Sequence, residues 1–385
     1  MPFYPKCSYV QEKTFKKKLK KIISFLIYSV ILLFKPKLPT KQVSPNSIAI
    51  IFLASLGDLV VLCGAVREMK ACGRSITLIS KQGTGAAEFA ALTQLFDEII
   101  EININGFERF RNLRKLAKIE VDTVFCAPLG RHILPDIYAC AVKANKRFFP
   151  DTFLDCSLPS LKSKIDKRAD KLVALTEINE LKRYSDFLFA CDLIKKEIRP
   201  FHFEQNVVAN NSSIAIFPGA GGGKGKRWNV TKFAYVAEQL VLKRLVDKVL
   251  IFGDKYDADC CDELFKELNG YCNVENYCGK TTISGLIEIV SRCCIVLAND
   301  SGSAHISMAC GTPTLVVCGM WQYGRFYPEA KLEEKHCAIL ASDTFSQSCN
   351  SSVPLCRQEP APCMQKIMAD IVLAQAERIL NNQTG

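Results

Sequence analysis

Four short stretches of the 385-residue chain set ionisable or anion-binding side chains beside glycine, each directly after an apolar run. The first, "LASLGDLV", carries Asp58 behind Gly57. A carboxylate there either favours the dipole of the helix it opens or, facing a cleft, takes a proton from an acceptor hydroxyl. The second, "FPGAGGGKGKRW" (217–228), packs five glycines and three bases into twelve residues. Glycine at that density lets backbone N–H groups close on a ligand. With Lys224, Lys226 or Arg227 beside them, Gly222 and Gly223 make an anion site of the diphosphate type. It is not a Walker A loop, because Arg227 rather than Ser or Thr follows Lys226, and it is not a G-x-G-x-x-G dinucleotide fingerprint. The third, "IFGDKYDADC" (251–260), sets acids after a buried run, where a carboxylate such as Asp257 holds ribose hydroxyls. Asp257 and Asp259 also form a D-x-D pair, a spacing that can hold a metal, although both fit the first turn of a helix. The fourth, "NDSGSAHISMACGTP" (299–313), places Asp300, Ser301, Gly302 and His305 where a strand turns into a helix. Helix N–H groups there would point at a phosphate.

These turns need strands to hold them, and the pattern supplies strands. "SIAIIFLA" (47–54), "SITLIS" (75–80) and "DTVFCAP" (122–128) read as buried strands with helices between, which is the βαβ signature of a parallel sheet. Residues 176–195 read as one amphipathic helix, and a polar stretch near 196–211 marks a boundary. The second half restarts with "SIAIFPGA" (213–220), an echo of the first strand. Helices near 231–245 and 257–268 alternate with strands at 248–253, 295–300 and 314–319. The expectation is an α/β protein of two Rossmann-like domains, 47–200 and 201–350, facing a cleft lined by strand C-termini, where ligands of such sheets bind. A tail, 351–385, carries a helix over 364–381 expected to pack back on the first domain.

The charge of +11 is unevenly placed. Residues 1–46 hold ten Lys and one Glu, +9 in all, so the body carries only +2, which excludes a nucleic-acid-binding protein with a basic working face. Within "KTFKKKLKKIISFLIYSVILLFKPK" (13–37), the apolar run Ile22–Phe34 reaches about 20 Å, short of a hydrocarbon core of about 30 Å. Phe15, Leu19, Ile22, Ile23, Leu26, Val30 and Leu33 fall on one helical stripe with lysines opposite. That suits a helix lying on the inner face of a cytoplasmic membrane, each lysine adding about 1 kcal/mol. The alternative is a helix packed on the protein's own body. The nineteen cysteines are odd in number, sit in apolar runs and form no C-x-x-C pair, which fits free thiols in a reducing cytoplasm. Cys349, Cys356 and Cys363 read as loop and core thiols.

Taken together the four turns resemble glycosyltransferase family 9, the ADP-heptose:lipopolysaccharide heptosyltransferases, over roughly residues 47–330. "SLGDLVVLCGAV" resembles the family's S-x-G-D start, "FPGAGGGKGKRW" its phosphate loop ending in K-x-W, "FGDKYDAD" its G-x-x-x-[DE] segment. "NDSGSAHISMACGTPTLVVCG" resembles its D-[ST]-G-x-x-H stretch, the most specific of the four. Two departures stand out: Gly64 where the family has Pro, and Gly221–Gly223 where hydroxyl residues are common. The resemblance implies a GT-B fold and an inverting, metal-independent transfer without a cofactor. In it Asp58 is the base, Lys226 binds phosphate, Asp257 holds ribose, and Asp300, Gly302 and His305 belong to the nucleotide-sugar motif. Its partners would be a nucleotide-diphosphate sugar and a lipid-linked glycan acceptor, which Arg131 and His132, after the strand at 122–128, could meet. Two other readings stay open. One is a non-catalytic nucleotide-sugar or glycan-binding protein, and the other a metal-dependent transferase using the D-x-D pair.

Overall fold

The computed structural model describes residues 27–29, 38–152, 159–204, 212–221, 223–319, 324–326, 331–332, 336–340 and 361–382. The chain divides into two compact units, Met1–Pro200 and Phe201–Gly385.

In the first unit the strands are β1 (Ser47–Phe52), β2 (Ser75–Lys81), β3 (Glu98–Ile102), β4 (Glu120–Ala127), β5 (Lys143–Pro150) and β6 (Lys171–Val173). The helices between them are α1 (Leu56–Ala71), α2 (Ala86–Thr93), α3 (Glu108–Leu116), α4 (Ile133–Ala141) and α5 (Pro159–Asp166), and α6 (Glu180–Ala190) follows β6. All strands run parallel in the order β3-β2-β1-β4-β5-β6. Alternate residues of β1 and β4 face opposite layers, as the two-residue period of a strand requires. Ala49, Ile51, Val124 and Cys126 join Ile133 and Ile137 of α4 and Leu161 and Ile165 of α5 in one core. On the other face Phe125 meets Phe187 of α6, ring centroids 5.6 Å apart.

The second unit has β7 (Ser213–Phe217), a 3-10 turn (Lys224–Lys226), α7 (Val230–Leu242), β8 (Lys248–Ile251), α8 (Ala258–Leu268), β9 (Asn273–Asn276), α9 (Ile283–Val290), β10 (Ile295–Asn299), α10 (Gly302–Ala309) and β11 (Thr314–Cys318). After them come β12 (Lys331–Leu332), β13 (His336–Leu340), α11 (Pro362–Lys366) and α12 (Ala369–Asn381). Its sheet runs β12-β13-β11-β10-β7-β8-β9, parallel except for the edge pair β12–β13. Leaving that edge strand aside, the order of each sheet reverses after its first strand, between β1 and β4 and between β7 and β10. Such reversal points are where open α/β sheets bind ligands.

The C-terminal helix corrects the expectation from sequence. Val372, Leu373, Ala376, Ile379 and Leu380 of α12 lie in the second unit's core with Phe233 and Leu240 of α7 and Leu315 and Val317 of β11. Trp228 explains the placement. Its ring is 1% exposed and stands edge-on to Phe233, and Nε1 donates to the Ile367 carbonyl at 3.1 Å. Lys232 Nζ donates to the carbonyls of Gln365 and Ile367 as well, so the tail is stitched to α7.

Cys349 and Cys356 lie outside the described residues, whereas Cys363 is buried in the second core. The cysteines described are all free thiols. Of the segment 13–37, only Ile27–Ser29 is described, and it is helical. Tyr28 is 6% exposed in the first unit's core, its ring 6.2 Å from that of Phe110. Among the described residues no helix is long and apolar enough to cross a membrane.

Candidate active site

In the second unit the glycine-rich loop leaves β7 and the Asp300 turn leaves β10, neighbouring strands at the reversal point. Asn299, fully buried as the last residue of β10, ties them together. Its Nδ2 donates to the Pro218 carbonyl at 2.8 Å and its Oδ1 accepts from the Trp228 amide at 2.9 Å. Both ends of the loop are therefore pinned to β10, while Gly221 and Gly223 are exposed. Gly223 has φ +109°, a backbone state that side-chain-bearing residues rarely adopt. Gly222 lies outside the described residues.

Lys226 closes the 3-10 turn and places its ammonium 3.2 Å from Asp300 Oδ2, with side chains 17% and 5% exposed. Ser301 caps α10 in an extended conformation, yet its hydroxyl makes no hydrogen bond to that helix. Among the described residues, Ser301 Oγ is enclosed without a hydrogen-bond partner. The helix then starts at Gly302, which adds no side chain in front of its N–H groups. An ammonium paired with Asp300, followed in the chain by an enclosed hydroxyl and a helix N-terminus, brings together groups of the kind that bind phosphate. His305 is 8% exposed one turn further along α10, its ring edge-on to Phe326 at 5.2 Å.

Asp257 is the residue just before α8, beyond β8. Its carboxylate lies against the Gly219 backbone: a Cβ on Gly219 would stand 2.1 Å from Asp257 Cγ. Arg227 Nη2 reaches Asp257 Oδ1 at 2.8 Å, and Nη1 reaches both oxygens of Asp259, at 2.8 and 3.0 Å. Lys224 Nζ lies 3.1 Å from Asp259. Burial raises the Asp257 carboxyl above the usual carboxylate range, Asp254 adds to the rise and Arg227 opposes it. Burial works the same way on Asp259, but hydrogen bonds from Lys224 and Arg227 outweigh it and hold that carboxyl at about 2. Thus both acids of the D-x-D pair are engaged by loop cations, and of the three loop bases Lys226 is the one that reaches Asp300. Gly219→Ala should force the Asp257 carboxylate aside. The expected result is about tenfold weaker nucleoside-diphosphate binding by calorimetry and a loss of about 1–3 kcal/mol in unfolding free energy from overpacking. Unchanged binding would refute the close packing.

In the first unit Asp58 stands in the first turn of α1, at the C-terminal end of β1. Ser55 Oγ donates to Asp58 Oδ2 at 2.6 Å and the Ser55 amide to the same atom at 3.3 Å. The carboxylate is half-buried and serves as the acidic partner of a capping box, so the helix fixes its orientation. Gly64, two turns along α1, is explained by close packing. A Cβ there would come 2.5 Å from the Arg199 carbonyl, which also accepts from Arg67 Nη2 at 3.2 Å.

Arg131 corrects an expectation. Its position after β4 suits either an acceptor ligand or a surface charge, but its side chain is fully buried. Nε pairs with Asp136 at 2.8 Å, Nη1 with Asp166 at 2.7 Å, and the guanidinium lies over the Phe149 ring. Burial pushes the Asp136 carboxyl up to about 6 against the pull of Arg131. Arg131 thus braces α4 and α5 rather than meeting a ligand. His132, the neighbouring cap of α4, is exposed. Asn299, Ser55 and the role of Arg227 were not singled out from sequence. The signal for Asn299 was a polar residue ending "IVLAN", an otherwise apolar run.

Known proteins share this sequence pattern and fold. The sequence model of glycosyltransferase family 9 (heptosyltransferase) matches residues 131–352, more than half of the chain. A lipooligosaccharide heptosyltransferase 2 of Campylobacter jejuni is 27% identical over 309 residues, covering 75% of this chain and 86% of the relative. Another, from a second strain of that species, is 25% identical over 340 residues, covering 84% and 96%. Among solved structures, the Escherichia coli ADP-heptose lps heptosyltransferase II shares the fold with a TM-score of 0.68 at 17% identity, covering 88% of this chain and 100% of that one. A Veillonella parvula glycosyl transferase family 9 structure shares it with a TM-score of 0.69 at 17% identity, covering 89% and 100%.

Proposed function

Because the chain belongs to glycosyltransferase family 9, we propose that it moves a heptose, or a closely similar sugar, from a nucleoside-diphosphate donor to a lipopolysaccharide core or related glycan. ADP-heptose is the favoured donor. The observation that carries this reading is the Lys226–Asp300 corner at the head of α10, built where the second sheet reverses its order. A diphosphate leaving group gains charge as its bond to the anomeric carbon breaks. Lys226, the α10 N–H groups and Ser301 Oγ would meet that charge in a metal-independent reaction. Asp257 would hold the ribose hydroxyls, with Gly223 giving backbone access to the diphosphate and His305 positioning the corner.

Asp58 completes the mechanism as general base. It takes the proton of the acceptor hydroxyl as that oxygen attacks the anomeric carbon from the face opposite the diphosphate, which inverts the centre through an oxocarbenium-like state. His132 is the exposed polar group proposed to meet the acceptor. The test is release of ADP from ADP-heptose in the presence of a truncated lipopolysaccharide core, with and without a chelator. Expected are release that requires both substrates and is insensitive to chelation. Donor binding without release from any donor–acceptor pair would leave a binding protein, and activity restored by manganese after chelation would make the reaction metal-dependent.

The basic N-terminal segment supports attachment to an anionic membrane surface, where a lipid-linked acceptor would lie. Tyr28 is buried in the first unit, and on the helix expected for 13–37 it stands on the side opposite Leu19, Ile22, Leu26, Val30 and Leu33. Tyr28 can then dock the segment while the apolar stripe is left for lipid. Changing Lys16, Lys17, Lys18, Lys20 and Lys21 to Gln keeps Tyr28 and removes about 1 kcal/mol of attraction per lysine. The variant should move from the membrane pellet to the soluble fraction, and unchanged sedimentation would refute the anchor.

A further inference from the structure

Arg227 is the one loop base whose guanidinium spans two functional stretches, and neither its distances nor its partners suit direct phosphate binding. It follows Lys226 in the chain, so its backbone belongs to the phosphate loop, while Nη2 holds Asp257 Oδ1 at 2.8 Å and the Tyr256 carbonyl at 3.2 Å. Nη1 is bound to both oxygens of Asp259, so the two terminal nitrogens are held by different carboxylates and the guanidinium plane is fixed between them. The same Asp257 carboxylate abuts Gly219, the first glycine of that loop, where a Cβ would stand 2.1 Å from its Cγ. The carboxylate is therefore in contact with both ends of the glycine-rich loop.

We propose that Arg227 is a positioning residue that fixes Asp257 to the phosphate loop, so that the nucleoside and the diphosphate of the donor are recognised as one rigid unit, with Asp259 holding Arg227 in its plane. The proposal rests on Asp257 contacting the ribose hydroxyls. Binding of ADP and of 2′,3′-dideoxy-ADP to the full chain separates the possibilities. Wild type should prefer ADP, and Asp257→Ala should abolish the preference. Arg227→Ala should abolish most of it too, raise the donor KM about tenfold and leave kcat within about twofold, because an interaction shared by ground and transition states is lost. Asp259→Asn, at a half-exposed side chain, should show the same pattern more weakly, and Arg227→Lys should recover only part of the preference because it lacks the planar fork. In the double variant Arg227→Ala/Asp257→Ala the two losses should fail to add.

Should Asp257→Ala abolish the preference while Arg227→Ala weakens ADP and its dideoxy analogue equally, the positioning role is overturned. Arg227 is then a direct phosphate ligand or a purely structural cation. Should Asp257→Ala itself keep the preference, the ribose reading of Asp257 falls first and takes the positioning role with it. Melting curves on each variant identify any that fail to fold, and Asp259→Asn then decides in place of Arg227→Ala. A retained preference in Asp259→Asn counts against the proposal.

Discussion

Asp58→Asn should lower kcat about a thousandfold while leaving ADP affinity unchanged, the size expected when a positioned general base is removed. The substitution is chosen for what it preserves. Asp58 Oδ2 accepts from the Ser55 hydroxyl and amide, and an Asn side-chain oxygen can accept from both. The capping box then loses only its charge at the helix N-terminus, worth about 0.3–1 kcal/mol. A carboxylate that merely capped α1 would show the reverse pattern, a slightly lower melting temperature and full turnover. Asp58→Ala removes both functions and cannot separate them. Full activity in Asp58→Asn, with melting measured alongside, would sink the base assignment.

Lys226→Met should cut kcat/KM with the donor by about three orders of magnitude, since the lost cation faces a leaving group whose charge grows in the transition state. It should also destabilise the second unit. The Asp300 side chain is 5% exposed beside Lys226, and stripping the cation leaves a buried carboxylate without that partner, at a cost of about 3–5 kcal/mol. The pair therefore has two readings, counter-ions to each other or a cation held ready for phosphate. The double variant Lys226→Met/Asp300→Asn distinguishes them. Neutralising both partners should recover most of the melting temperature without recovering turnover. Recovery of both would reduce Lys226 to the counter-ion of Asp300.

What could be read from sequence followed hydrophobic content and glycine. β1, β2, β4, β7, β8, β10 and β11 are apolar and stood out, as did the turns behind four of them. β5, "KANKRFFP", opens on four polar or small residues and was missed. Its Arg147 is buried because Nη2 and Nη1 donate to the carbonyls of Val142 and Ala144, a local contact with no pattern in sequence. β9, "NVEN", at the sheet's edge, is half-exposed and has too few apolar residues to register. Motif positions single out Asp58 in the first unit and Lys226, Asp257 and Asp300 in the second. Pairing was not legible: Lys226 with Asp300 spans 74 residues and Arg227 with Asp257 spans 30, separations set by the sheet order. Arg131 misled for the same reason. An arginine four residues past a strand looks like a surface ligand until Asp136 and Asp166 are seen to enclose it.

The terminal helix α12 belongs to the second unit's own core, and each compact unit is one unbroken run of chain meeting at Pro200–Phe201. The proposed acceptor chemistry sits wholly in the first run and the proposed donor chemistry wholly in the second. A single crossover between related genes at that junction would therefore exchange the donor half with its closing helix still attached, leaving Asp58 and its neighbours untouched. On the proposed assignment, such an exchange would change the sugar delivered while keeping the base.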